Sequence, residues 1–303
     1  MRCKKKYEVM AIEAAEEGII RKKYSADVKK TDDGLTLTRL RVKTDADSKA
    51  LGKRKGVYYT VEAKDGISDD GVCRAVSKEL KKILRELTAE SLHGKPTVLV
   101  AGLGNREIAA DSLGARVVER LIVTRNVIES GYSVGRGIAN VCGIATGVFA
   151  VTGVEAFDLV KGVAERVNAT VVIVVDTLAT ARFERLFTSF QLTDAGLEPG
   201  SASRANRTLI DRRSTGIPVI AVGVPLTIYA KSLVSRTLTE ANATLSVPQI
   251  RDVATKVLGE KNLSVLLAPK EVDEGVLTAA RIIADGINLA FHNSTDKKYY
   301  SRF

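Results

Sequence analysis

The chain has no tryptophan, and aromatic residues make up only 5% of its 303 residues. That scarcity argues against a single-strand nucleic-acid binder, which needs aromatic faces on which bases stack. Histidine is nearly as rare. His93 and His292 form neither an H-E-x-x-H pair nor a cysteine–histidine cluster, so no metal is expected. The three cysteines, Cys3, Cys73 and Cys142, are odd in number and far apart. They make no disulfide framework and no C-x-x-C pair, which suits a reducing cytoplasm. No apolar run reaches the roughly 20 residues that cross a bilayer. The opening MRCKKKYEVM carries basic residues without the apolar stretch of a secretory signal, so no membrane partner is expected. There is no G-x-S-x-G elbow, and nothing sets a serine or cysteine beside a histidine.

What is present is ordinary for a folded chain: 45% hydrophobic and 27% charged residues. The length suits one large α/β domain or two modest ones. Net charge is +10, and the first 55 residues hold 16 Lys/Arg against 9 Asp/Glu. A basic face of this kind steers an acidic protein or a nucleic acid, or is merely solvated. With so few aromatics, no stable nucleic-acid partner is expected.

Periodicity divides the chain near residues 93–96. Before it, residues 7–17 read as a short acidic helix and 45–56 as a charged loop with some helical character. Residues 36–43 and 57–63 alternate as strands, and a Ser-Asp-Asp cap opens a helix over 68–87. After it, short apolar runs at 97–101, 170–175, 217–222 and 263–267 alternate with helical stretches. Those stretches begin near 109, 179, 227 and 271, the first running to 124 and the last to 290. The expectation is an α/β fold, a mainly parallel sheet covered by helices on both faces, with a small N-terminal α+β extension. Residues 1–95 would form that subdomain and 96–303 the core, or the two would make one continuous domain.

Ligands of such sheets bind beyond the carboxyl ends of the strands. Asp176 ends the run TVVIVVD, and Asp111 follows the turn Gly102-Leu103-Gly104-Asn105 after the run TVLVA. Two carboxylates in one cleft suit hydrolysis, because like charges held close keep one protonated as acid and the other ionised as base. Local sequence alone favours the plainer role of helix or turn caps for both aspartates. The glycine turn invites a phosphate-cradle reading, but the third glycine of G-x-G-x-x-G is missing and no acidic strand end follows about 20 residues later.

Longer blocks resemble a known family. Residues 98–120 (VLVAGLGNREIAADSLGARVVER) are similar to the strand–turn–helix of the germination proteases, with GLGN followed by D-x-L-G. In order follow 152–155 (TGVE), 172–179 (VIVVDTLA), 191–201 (QLTDAGLEPGS), 218–225 (PVIAVGVP), 269–273 (PKEVD), 283–288 (IADGIN) and His292. The departures are Val9 for the aspartate of T-D-L-A-L-E, Thr146 for proline, Ala156 for threonine, and the segment 201–204. The resemblance implies an endopeptidase that cleaves small acid-soluble spore proteins at germination, made as a zymogen, acting in the spore core and assembling as a homotetramer. It implies catalytic roles for Asp111 and Asp176, with Gly102, Gly104, Asn105 and Asp194 supporting the site. It also implies a phosphorylase/hydrolase-like fold related to the hydrogenase maturation endopeptidases. Those use a histidine around nickel, but here no histidine lies between the GLGN turn and the C-terminal helix, so no cofactor is expected. A maturation-type peptidase for another protein, or a nucleotide-binding regulator without proteolysis, stay open as alternatives.

Overall fold

Strands and helices are assigned in a computed structural model that describes residues 10–16, 26–92, 94, 96–135, 137–200, 207–241, 245–262 and 265–292. Val9, residues 201–204 and His93 of the expected linker lie outside the described residues.

Nine strands among the described residues join one sheet: β1 (Ala26–Lys30), β2 (Thr36–Val42), β3 (Gly56–Glu62), β4 (Thr97–Leu103), β5 (Asn140–Gly147), β6 (Val171–Thr180), β7 (Ser189–Thr193), β8 (Val219–Tyr229) and β9 (Leu266–Leu267). Their order is β1-β2-β3-β7-β8-β6-β4-β5, with β9 added beside β8. Strands β5, β4, β6 and β8 are parallel; β7, β3, β2 and β1 continue the sheet in antiparallel pairs.

The sheet is therefore mixed, which corrects the expectation of a mainly parallel one. Parallel neighbours need a crossover of a dozen or more residues. Here β6 leads into a 3-10 turn at Phe183–Arg185 and then directly into β7, which returns antiparallel to β8. The β7 segment SFQLT is short and carries a glutamine, and β5 (NVCGIATG) holds two glycines, so neither reads as an apolar run.

Both faces of the parallel half are covered. Val98 and Val100 of β4, with Val171, Ile173 and Val175 of β6, pack under the helices Asp70–Thr88, Leu113–Val118 and Val272–Phe291. Leu99, Ala101, Leu103, Val172 and Val174 point the other way, toward Val160 and Ala164 of the helix Ala156–Arg166. Burial on both sides explains why these strands are continuous apolar runs rather than alternating ones. The helix Asp70–Thr88 starts where its cap signal stands, with the Asp69 carboxylate accepting from the Val72 N–H.

Three expected boundaries move. Strand β6 does not stop at Asp176 but runs on to Thr180, and no helix starts at 179, because β8 extends alongside and pairs Asp176 with Gly223 through to Thr180 with Ile228. For the same reason the helix expected from 227 starts at Ala230. The stretch 109–124 resolves into a 3-10 turn, Ala109–Asp111, and a short helix, Leu113–Val118.

Candidate active site

The carboxyl ends of β4, β5, β6 and β8 open into a cleft of about 590 Å³. Leu103 and Gly104, Gly147, Asp176 to Ala179, and Ala221 to Gly223 line it. Asp111 and Asp176 share it.

Gly104 turns the chain back after β4 with φ +96°, a conformation that favours glycine. A Cβ there would stand 2.0 Å from the Asp111 carbonyl oxygen. Gly102 sits equally close to the start of the next helix, where a Cβ would meet the Gly114 carbonyl oxygen at 2.1 Å. The two glycines therefore serve the chain's own close packing, which draws the 3-10 turn over the strand end. The Asn105 N–H donates to Asp111 Oδ2 at 2.8 Å, and Asn105 Oδ1 accepts from Glu107. Asp111 caps no helix: the position before Leu113–Val118 is Ser112, and its side chain makes no capping bond.

Asp176 is not a cap either. It lies within β6, in step with Val172 and Val174, and so on the face of the helix Ala156–Arg166. Gly223 stands opposite it in β8, where a Cβ would meet the Leu178 side chain at 2.6 Å. Its Oδ1 accepts from the Thr177 N–H at 2.8 Å. Burial raises its pKa to about 7, with the Asp111 carboxylate pushing the same way. Burial also raises Asp111, against the pull of the Asn105 N–H. The Asp111 carboxylate and burial thus both disfavour the ionised form of Asp176.

Asp194 stands apart. It is exposed and outside the cleft, and its Oδ1 accepts from the Val57 N–H at 2.7 Å, pinning β3 to the segment after β7. Asn105 and Gly102 lie behind the lining and act on it through Asp111 and the helix start.

Composition and spacing gave no sign of another cleft residue, Lys53. It is 6% exposed, and burial lowers its pKa to about 8, with the Glu13 carboxylate opposing. In the sequence it is one of three consecutive basic residues in a charged stretch, and nothing distinguishes the buried one. At the rim Arg54 pairs with Glu198 at 3.0 Å, and the Arg207 guanidinium stacks over Phe149 at 4.3 Å. Among the described residues no group of three or more His, Cys, Asp or Glu is placed to hold a metal ion.

The sequence profile of the germination proteases matches residues 6–246. The chain belongs to the germination protease family. A germination protease of Caldanaerobacter subterraneus subsp. tengcongensis is 34% identical over 286 residues, covering 88% of each chain. That of Clostridium acetobutylicum is 29% identical, covering 91% of this chain and 90% of its own. That of Priestia megaterium is 28% identical, covering 90% and 88%. A crystal structure of a NiFe hydrogenase maturation protease, HycI, from Thermococcus kodakarensis KOD1 aligns with a TM-score of 0.33 at 15% identity, over 68% of this chain and 98% of that one. Family membership makes the protein an endopeptidase, acting on a protein substrate. No helix among the described residues is long and apolar enough to cross a membrane.

Proposed function

We propose that this endopeptidase hydrolyses its substrate with Asp111 and Asp176 as the catalytic pair. The observation that carries the reading is that two carboxyls, both raised by burial and one also by the other, line a single cleft. The ionised member takes a proton from water as the water oxygen bonds to the scissile carbonyl carbon. The protonated member gives its proton to the carbonyl oxygen; as the C–N bond breaks, the proton taken from water passes to the leaving amine and the other carboxylate regains its proton from the intermediate's hydroxyl. Asn105 steadies Asp111 through its N–H. Gly102 and Gly104 hold the turn that carries Asp111, and Asp194 holds the neighbouring strand.

The substrate class we assign is the small acid-soluble spore protein, and the working assembly a homotetramer in the spore core. The seven ordered sequence blocks and the germination protease relatives support that assignment. Asp111→Asn and Asp176→Asn should each abolish cleavage of a purified small acid-soluble spore protein while the far-UV circular dichroism stays that of the parent. Cleavage at the parent rate by both variants would sink the pair. Light scattering of the purified enzyme reads the assembly, and a monomer mass would remove the tetramer.

A further inference from the structure

Behind the cleft lies a charged cluster that the reaction as written does not use. Glu13, Lys53, Glu62 and Arg185 are 2%, 6%, 9% and 5% exposed. Two acids and two bases are thus buried together. Such a cluster is weak support for folding, because desolvation of the ions offsets their attraction. Buried ionisable groups at the wall of a cleft are candidates for a role in what happens there.

The bonds of the cluster tie the end of β6 to the N-terminal helix and to β3. Glu13 belongs to the short helix Ala11–Glu16, whose residues Ala11, Ile12 and Ala14 are buried. The Thr180 hydroxyl donates to Glu13 Oε1, and the Ala181 N–H reaches both carboxylate oxygens at 3.2 Å. Arg185 lies 3.6 Å from the same carboxylate and donates through Nε to Glu62 of β3 at 2.9 Å. The Ala11 N–H donates to the Gln191 side chain of β7, another cleft residue, at 2.7 Å. Burial pushes the Glu13 carboxyl up, while the Thr180 hydroxyl, Arg185 and the Ala181 N–H hold it down.

Strand β6 needs such a tie. Its first half is paired on both sides, with β4 from Val171 to Val175 and with β8. From Asp176 onward β4 no longer accompanies it, and the register with β8 slips between Leu178 and Ala179. Asp176 is thus the first residue of a stretch laddered on one side only, interrupted by a bulge and fastened at its far end to Glu13.

We propose that Glu13 is a positioning residue for the peptidase reaction: through this carboxylate the helix Ala11–Glu16 fixes the distal half of β6 and so the setting of Asp176. The inference rests on the reading of Asp176 as catalytic. Glu13 touches neither substrate nor reacting atoms, and its effect travels through Thr180 and Ala181. Its removal therefore slows the chemical step more than it weakens binding.

The test uses full-length E13Q, T180V, T180S and the double variant E13Q/T180V, with D176N alongside, on a purified small acid-soluble spore protein. kcat and KM are measured separately, and each variant's melting temperature and near-UV circular dichroism are recorded. Glutamine keeps the size of Glu13 but cannot offer two acceptor oxygens to the Ala181 N–H and the Thr180 hydroxyl. E13Q and T180V should each lower kcat by about ten-fold or more with KM within about three-fold. T180S keeps the hydroxyl and should retain the parent kcat. The double variant should be no slower than the slower single one, because both changes break the Glu13–Thr180 bond; T180V also loses the Thr180 bonds to the Arg182 backbone, and E13Q does not. A kcat for E13Q within about two-fold of the parent overturns the proposal, and so does a double variant that multiplies the two single losses. Should E13Q not fold, T180V against T180S decides alone: equal kcat for the two overturns it. D176N separates the two claims. If D176N is inactive while E13Q is fully active, only the positioning role falls; if D176N is fully active, the catalytic pair itself falls and the positioning role with it.

Discussion

Asp176 carries a proton near neutral pH because its place in β6 removes it from water and sets it near Asp111. Its folded pKa of about 7 lies above the ordinary 3.8, so the folded chain holds this proton more tightly than the unfolded one. Its contribution to stability is therefore fully present below about pH 4 and is lost as pH rises through about 7. Asp176→Asn removes that loss. At pH 8 the variant should melt roughly 5 °C above the parent, and the gap should close by pH 4. Equal melting temperatures across that range would show that the carboxyl is not desolvated. On the proposed reaction kcat/KM should fall as pH rises through about 7, when Asp176 becomes ionised and no acid remains. Local sequence offers a capping role for both aspartates, and only their burial in one cleft distinguishes them from caps.

The glycine turn and the strand it follows act as one element. Gly104 has no room for a Cβ beside the Asp111 backbone, and Gly102 and Gly114 press together in the same way. Gly104→Ala should cost about 1–3 kcal/mol of stability and lower activity by at least about ten-fold, since the displaced atoms belong to Asp111. Urea unfolding and a cleavage assay read the two effects, and an alanine variant with parent activity would show that the turn can yield. This element was legible in the sequence, because a glycine turn between an apolar run and a helical stretch is a local signal. The end of β6 was not. Asp176-Thr177-Leu178-Ala179-Thr180 carries no pattern that separates a continuing strand from a turn into a helix. The presence of β8 alongside decides it.

Across the whole molecule, the sheet carries the N-terminal strands into the same layer as the parallel half, through the pairing of β3 with β7. The largest core cluster draws on Leu35, Tyr59 and Val61 as well as on Ile173, Val222 and Phe291. Shared burial of this kind couples the two parts of the chain. Urea unfolding followed by far-UV circular dichroism and by tyrosine fluorescence should therefore give one coincident transition. Two separated transitions would mark residues 1–95 as a unit that unfolds alone. The apolar runs, the capped helix from Asp70 and the glycine turn were determined by the sequence itself, because each depends on residues within a few positions of one another. The mixed direction of the sheet, the meeting of Asp111 with Asp176, and the burial of Glu13 and Lys53 were decided only by the tertiary structure. Strand partnership and desolvation depend on chain segments far away in sequence, and no local pattern encodes which lysine, glutamate or aspartate the rest of the fold will close over.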